Sequence, residues 1–134
     1  MLPSSQSTLL IRTDFSDQDA WEALRTAVRT PNEDGFTAEA AFIDDRAYQG
    51  LEAQEILPLV PENRGHRLLA LADGITLASP EMPLLVIDLE GEPPGLIRVV
   101  TAEFWSIENN LSLYNMDFDE FAGSVDADGT HRGF

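Results

Sequence analysis

The sequence predicts an α/β or α+β fold: a single mixed β-sheet of about five or six strands with three or four helices packed on it. Three observations lead there. The runs STLLIRT (7–13), RLLALAD (67–73) and PLLVIDL (83–89) have strand length and are apolar almost throughout, the pattern of strands covered on both faces. Between the first two, FSDQDAWEALRTAVRTP (15–31) carries apolar residues at helical spacing. The segments follow one another as strand, helix, strand, helix, strand, then strand and strand before a helical C-terminus, which suits one sheet with helices laid on it.

The elements are justified in chain order. Residues 1–6 read as a loose N-terminal tail and 7–134 as one globular domain. Residues 7–13 form the first strand. In 15–31, Trp21, Leu24 and Val28, with Ala20 and Ala27, make one stripe. Ser16 suits an N-cap with Asp19 three residues on, Arg25 and Arg29 fill the last turn, and Pro31 ends the helix. NEDG (32–35) is a turn, and FTAEAAFID (36–44) alternates as a strand with Phe36, Ala38, Ala40 and Phe42 on one face. After a loop, LEAQEILPLVP (51–61) is a short helix ended by its prolines. Residues 67–73, 83–89 and LIRVV (96–100) are strands, the last two joined as an antiparallel hairpin through EGEPPG (90–95). GITLASP (74–80) is ambiguous. TAEFWS (101–106) opens a helix, NNLSLYN reads as a last strand with Leu111 and Leu113 inward, and DFDEFAGSV (117–125) is a short helix capped by Asp117 and Glu120.

Composition excludes several classes of function. The chain has no cysteine, hence no disulfide, thiolate metal site or cysteine nucleophile. All eight basic residues are arginine, so a Schiff-base lysine and the P-loop lysine are impossible. A formal net charge of −16 argues against nucleic acid and against anionic membranes as partners. No run approaches the ~20 apolar residues of a membrane span, and the N-terminus lacks a basic signal-peptide region, so a cytoplasmic location is expected.

Motifs are few. No nucleophile elbow, P-loop, dinucleotide fingerprint or paired-histidine zinc motif is present. His66 and His131 lie in polar stretches, with no orienting partner visible in sequence. SVDADGTHRGF (124–134) begins like a Ca²⁺ loop, but its twelfth position falls beyond Phe134, so an Asp-Gly turn is expected instead. Two candidate sites remain. Asp14, Asp73 and Asp88 follow expected strands, where carboxylates gathered at strand ends hold Mg²⁺ in a hydrolase-like site. The stretch 104–129 is rich in acids and holds no basic residue. There Trp105, Glu108, Asn109, Asn110, Asn115, Asp117, Asp119 and Glu120 compose an aromatic anchor with a polar rim, suited to a basic protein partner.

Taken together, LLIRTDFSD, FIDD, PLLVIDL, FWSIENNLSLYNMDFDEFA and the closing RGF resemble a domain-of-unknown-function family of small acidic uncharacterised bacterial proteins common in actinomycetes. The resemblance runs from about Thr8 to Phe134 and is most specific in ENNLSLYNMDFDEF. It implies that Asn109, Asn110, Asn115, Met116, Asp117 and Phe118 belong to a family pattern, and it implies a fold without a mechanism.

The expectation is therefore a non-enzymatic protein-binding module, inhibitor- or immunity-like, that needs no cofactor and meets a basic partner. The alternatives are a divalent-metal site on the three aspartates and a self-associating structural subunit.

Overall fold

The chain forms one six-stranded mixed sheet with helices on it, an α+β fold; the computed structural model describes residues 2–134. In chain order the elements are β1 (Thr8–Arg12), α1 (Gln18–Arg29), β2 (Ala40–Ile43), α2 (Ala53–Ile56), β3 (Leu68–Ala72), α3 (Gly74–Ala78), β4 (Pro83–Asp88), β5 (Gly95–Val100), α4 (Phe104–Ser112), α5 (Phe118–Ala122) and β6 (Thr130–His131). The sheet order is β2-β1-β3-β4-β5-β6. β4 runs against both neighbours and every other pairing is parallel.

This order reverses direction at β1. The chain leaves β1 through α1 to reach β2 on one side, then crosses back through α2 to reach β3 on the other. Crossovers between parallel strands are right-handed, so two crossovers in opposite directions must use opposite faces of the sheet. The cores follow this rule. Trp21, Leu24 and Val28 of α1 pack with Leu10, while Ile56 of α2 packs on the other face with Leu9 and Ile11. All five residues of β1 are buried, as are all five of β3. This is why both read as continuous apolar runs rather than alternating ones.

Several boundaries differ from expectation. The N-cap of α1 is Asp17, whose side chain accepts from the Ala20 amide at 3.0 Å, and not Ser16. β2 spans only Ala40–Ile43, because residues 32–36 are tied into a turn in which Asn32 Oδ1 accepts from the amides of Asp34 and Phe36. Residues 74–78 are helical. The expected last strand over NNLSLYN is the end of α4, which buries Leu111 and leaves Leu113 exposed. The strand that does close the sheet is β6, two residues long. The tail expectation also changes for residues 2–6. Leu2 is 2% exposed within the α2-side core, its amide donates to Leu59 O at 2.9 Å, and Ser5 O accepts from the Gly65 amide.

α4 is pinned to the sheet by a buried carboxylate. Glu108 is 5% exposed and, among the described residues, makes no ion pair with an arginine. It accepts instead from the Glu39 amide at 2.7 Å, Ser112 Oγ at 2.6 Å and Thr8 Oγ1 at 3.2 Å. These donors come from the approach to β2, from α4 itself and from β1, so one side chain closes three segments. A buried acceptor removed alone leaves its donors unsatisfied. We expect Glu108→Ala to lower unfolding free energy by about 2–3 kcal/mol in urea titration. A loss under about 0.5 kcal/mol, ordinary for a surface change, would contradict this role.

Candidate functional site

In open sheets, ligands bind beyond the carboxyl ends of the strands where the strand order reverses. Here that point is the end of β1 beside the end of β3, and a cleft of about 680 Å³ opens there. Its floor comes from a single register row. Leu71 of β3 opposes Leu85 of β4, which opposes Arg98 of β5, so all three side chains leave the same face. That face is only partly roofed. α2 is four residues long and packs over β1 and β3, which leaves Leu85 half-buried and Leu96 of β5 exposed.

The walls are chain ends held in place. Gly50 adopts φ +76°, which favours glycine, and its amide donates to Thr13 O at 2.8 Å, tying the 49–54 segment to the end of β1. Glu52 and Leu51 face the cleft from that segment, and Ile75, 60% exposed, faces it from α3. Asp14 Oδ1 accepts from the Ser16 amide at 2.8 Å, and its other oxygen lies 3.0 Å from where a side chain on Gly74 would begin. Arg12, 2% exposed, braces the same corner. It donates to Asp14 O, Gln18 and Asp44, and its guanidinium lies 4.4 Å from the centre of the Phe15 ring.

The three strand-end aspartates do not converge. Asp14 and Asp73 line this cleft, but Asp88 pairs with Leu68 at the start of β3, at the opposite end of the sheet, because β4 runs antiparallel. Asp73 is also occupied. Arg98 grips both its oxygens at 2.9 and 2.7 Å, and the Thr76 amide donates to it at 3.1 Å. Burial pushes its pKa up, but these hydrogen bonds outweigh burial and the net shift is downward. Asp88 is held by both nitrogens of the Arg67 fork at 3.0 Å each. Among the described residues no group of three His, Asp or Glu side chains is placed to hold a metal ion.

The acidic C-terminal stretch divides in two. Glu108 is the buried pin. Asn109 donates to Thr37 O and Trp105 O, and Asn110 to Ser106 O, so both side chains serve the backbone. Trp105 is half-buried and stacks on Phe36 with ring centres 5.2 Å apart. Asp117 and Glu120 form the capping box of α5. Asn115, Asp117, Asp119 and Glu120 are exposed. In the DADG turn, Arg132 contacts Glu81, Asp126 and Asp128 at 2.7–3.1 Å, so a guanidinium sits where the turn's carboxylates converge. It holds Asp128 down at a pKa of about 2.

Sequence reasoning missed Arg98, Gly50, Glu52 and Ile75 as cleft residues. The reversal of strand order identifies them, and no local pattern announces it.

Both histidines are buried. His131, 0% exposed, packs against the rings of Phe121 and Phe134, which also touch each other, with Nδ1 2.6 Å from Ser124 Oγ. Burial lowers the pKa of His131 and of His66 below the ordinary 6.5. The unfolded chain therefore binds more protons than the folded one below that value. Their contribution to stability is complete above pH 6.5 and is lost as pH falls through the lowered folded values. Denaturant melts between pH 7.5 and pH 5.5 should show a falling midpoint, with a shallower fall in His131→Gln. A flat midpoint in the wild type would contradict this.

Among the described residues no helix is long and apolar enough to cross a membrane. No curated protein matches the chain. Residues 7–134 match the model of a family described as a domain of unknown function, DUF6924, and the chain belongs to that family.

Proposed function

We propose that the domain is a non-enzymatic binding module, inhibitor- or immunity-like, whose switch-point cleft receives an extended basic segment of a partner protein. One observation carries this reading: the cleft combines an apolar floor of Leu71 and Leu85 with the rim carboxylates Asp14 and Glu52, while its single cation, Arg98, is already committed to Asp73. Such a groove attracts Lys or Arg at its rim and apolar side chains at its floor. The charge of the whole chain favours the same partner. The net charge of −16 already counts all eight arginines, five of which are held in ion pairs among the described residues. The reading moves the docking surface from the C-terminal stretch to the cleft, because Glu108, Asn109 and Asn110 serve the fold. A cytoplasmic location belongs to the same proposal and suits a chain without cysteine.

Fluorescence anisotropy with a labelled Lys/Leu-alternating decapeptide tests it. Affinity should drop steeply as salt rises from about 50 to about 300 mM. It should fall about tenfold in the Asp14→Asn/Glu52→Gln double variant and hold in Asp119→Asn/Glu120→Gln. Salt-independent binding, or loss in the second pair instead of the first, would remove the cleft from consideration.

A further inference from the structure

A second cleft, about 460 Å³, opens on the α1 side of the sheet, between the end of α1, the turn after it, the residues just before β4 and the start of α4. Its walls are apolar: Val28, Phe36, Met82, Val100, Phe104 and Trp105. Val28 and Phe104 belong to the α1-side core, so the base of the cleft is packed interior. Phe36, 49% exposed, forms an outer wall by stacking on the half-buried Trp105, with ring planes 12° apart. Met82 adopts φ +48°, a left-handed conformation uncommon for a residue with a side chain. Thr101 holds it there: its hydroxyl and its amide donate to Met82 O at 2.7 and 3.2 Å. Backbone strain kept in place this way is concentrated at ligand sites.

The polar groups of the cleft are few and of one kind. Of the lining residues only Glu81 is charged, and the Arg132 fork already holds both its oxygens, at 2.8 and 3.1 Å. Asn32 Oδ1 is spent on the amides of Asp34 and Phe36, which fixes the orientation of the side chain and leaves its NH₂ free. That NH₂ and the Trp105 indole N–H make no hydrogen bond among the described residues, and neither is sealed from solvent. The Trp21 indole N–H, by contrast, is buried without a partner.

The volume falls within the ~300–1,000 Å³ of small-molecule sites, and an apolar lining with a few open polar groups is their usual composition. Three aromatic side chains and a thioether suit a ring. An ion entering would lose its hydration without meeting an unpaired opposite charge, and the net charge of −16 repels anions in particular. The open groups are N–H donors, so the occupant must offer an acceptor. We propose that this cleft binds a small neutral aromatic molecule bearing a carbonyl, its ring among Phe36, Phe104 and Trp105 and its oxygen on the N–H groups of Asn32 and Trp105. The site is separate from the basic-segment cleft and does not rest on that reading.

The test uses acetophenone as probe and the two tryptophan indole N–H signals in ¹H–¹⁵N NMR spectra as readout. Acetophenone should shift the Trp105 signal saturably, with a midpoint of about 1–10 mM, and leave the Trp21 signal unmoved as the control for the fold. Benzoate adds a charge, cyclohexyl methyl ketone lacks the aromatic ring and toluene lacks the carbonyl. Each should bind at least about threefold more weakly. Two variants should weaken acetophenone binding to the same degree: Phe36→Ala, which removes the outer wall, and Asn32→Asp, which keeps the turn's acceptor and removes the donor. An unchanged Trp21 signal in each variant reports an intact fold. No saturable Trp105 shift up to about 30 mM would overturn the proposal, as would undiminished binding of any control compound or by either variant. Movement of the Trp105 signal with protein concentration alone would put a second copy of the chain on this face instead.

Discussion

The reversal of strand order at β1 is the constraint on which the structure depends. β1 lies between two parallel neighbours, and its crossovers leave in opposite directions. Handedness then assigns α1 to one face and α2 to the other. Burying β1 from both sides requires an apolar run at Leu9, Leu10 and Ile11. The same divergence leaves an opening above the carboxyl ends of β1 and β3, so the cleft follows from topology before any side chain is chosen. The second half of the fold is added by hairpin. β4 turns back, β5 turns again, and the two residues of β6 seal the far edge.

Arginine supplies the internal ties of this acidic protein. Arg12 braces the end of β1, Arg67 the end of β4, Arg98 joins β5 to the cap of α3, and Arg132 closes the last turn onto Glu81. Three of them use a bidentate fork on a carboxylate, a geometry open to arginine and not to lysine. Their energies differ with exposure. The Arg132 cluster is solvated and contributes little, whereas the Arg67–Asp88 pair is nearly buried and would leave an uncompensated charge if one partner were lost. With 24 carboxylates against eight arginines, five of them in ion pairs among the described residues, the surface potential is set by carboxylates.

Much of the fold was legible in the sequence. The single mixed sheet, the helical stripe of Trp21, Leu24 and Val28, the 83–100 hairpin and the Asp117–Glu120 capping box are local patterns, and each stands in the structure. The misreadings occur where long-range contacts decide. LSLYN alternates like a strand, yet Leu111 belongs to α4, whose place is fixed by Glu108 reaching residues far away in sequence. β6 is too short to carry a periodicity. The tail is docked through Leu2, and a segment this short carries no periodicity to announce it. The site was legible only in part. Asp14 and Asp73 were singled out for ending strands, but strand direction, which separates Asp88 from them, is a property of the assembled sheet.

The most direct measurement of the central claim is amide hydrogen exchange with and without a saturating basic peptide. Amides that become ligand contacts or lose local opening exchange more slowly in the complex. Slowing should be concentrated at residues 13–16, 49–54 and 74–75, the three segments that converge at the end of β1 and β3. Slowing confined to Phe118–Ala122 and the turn after it would place the partner on the acidic C-terminal face, and the cleft at the strand reversal would not be the docking site.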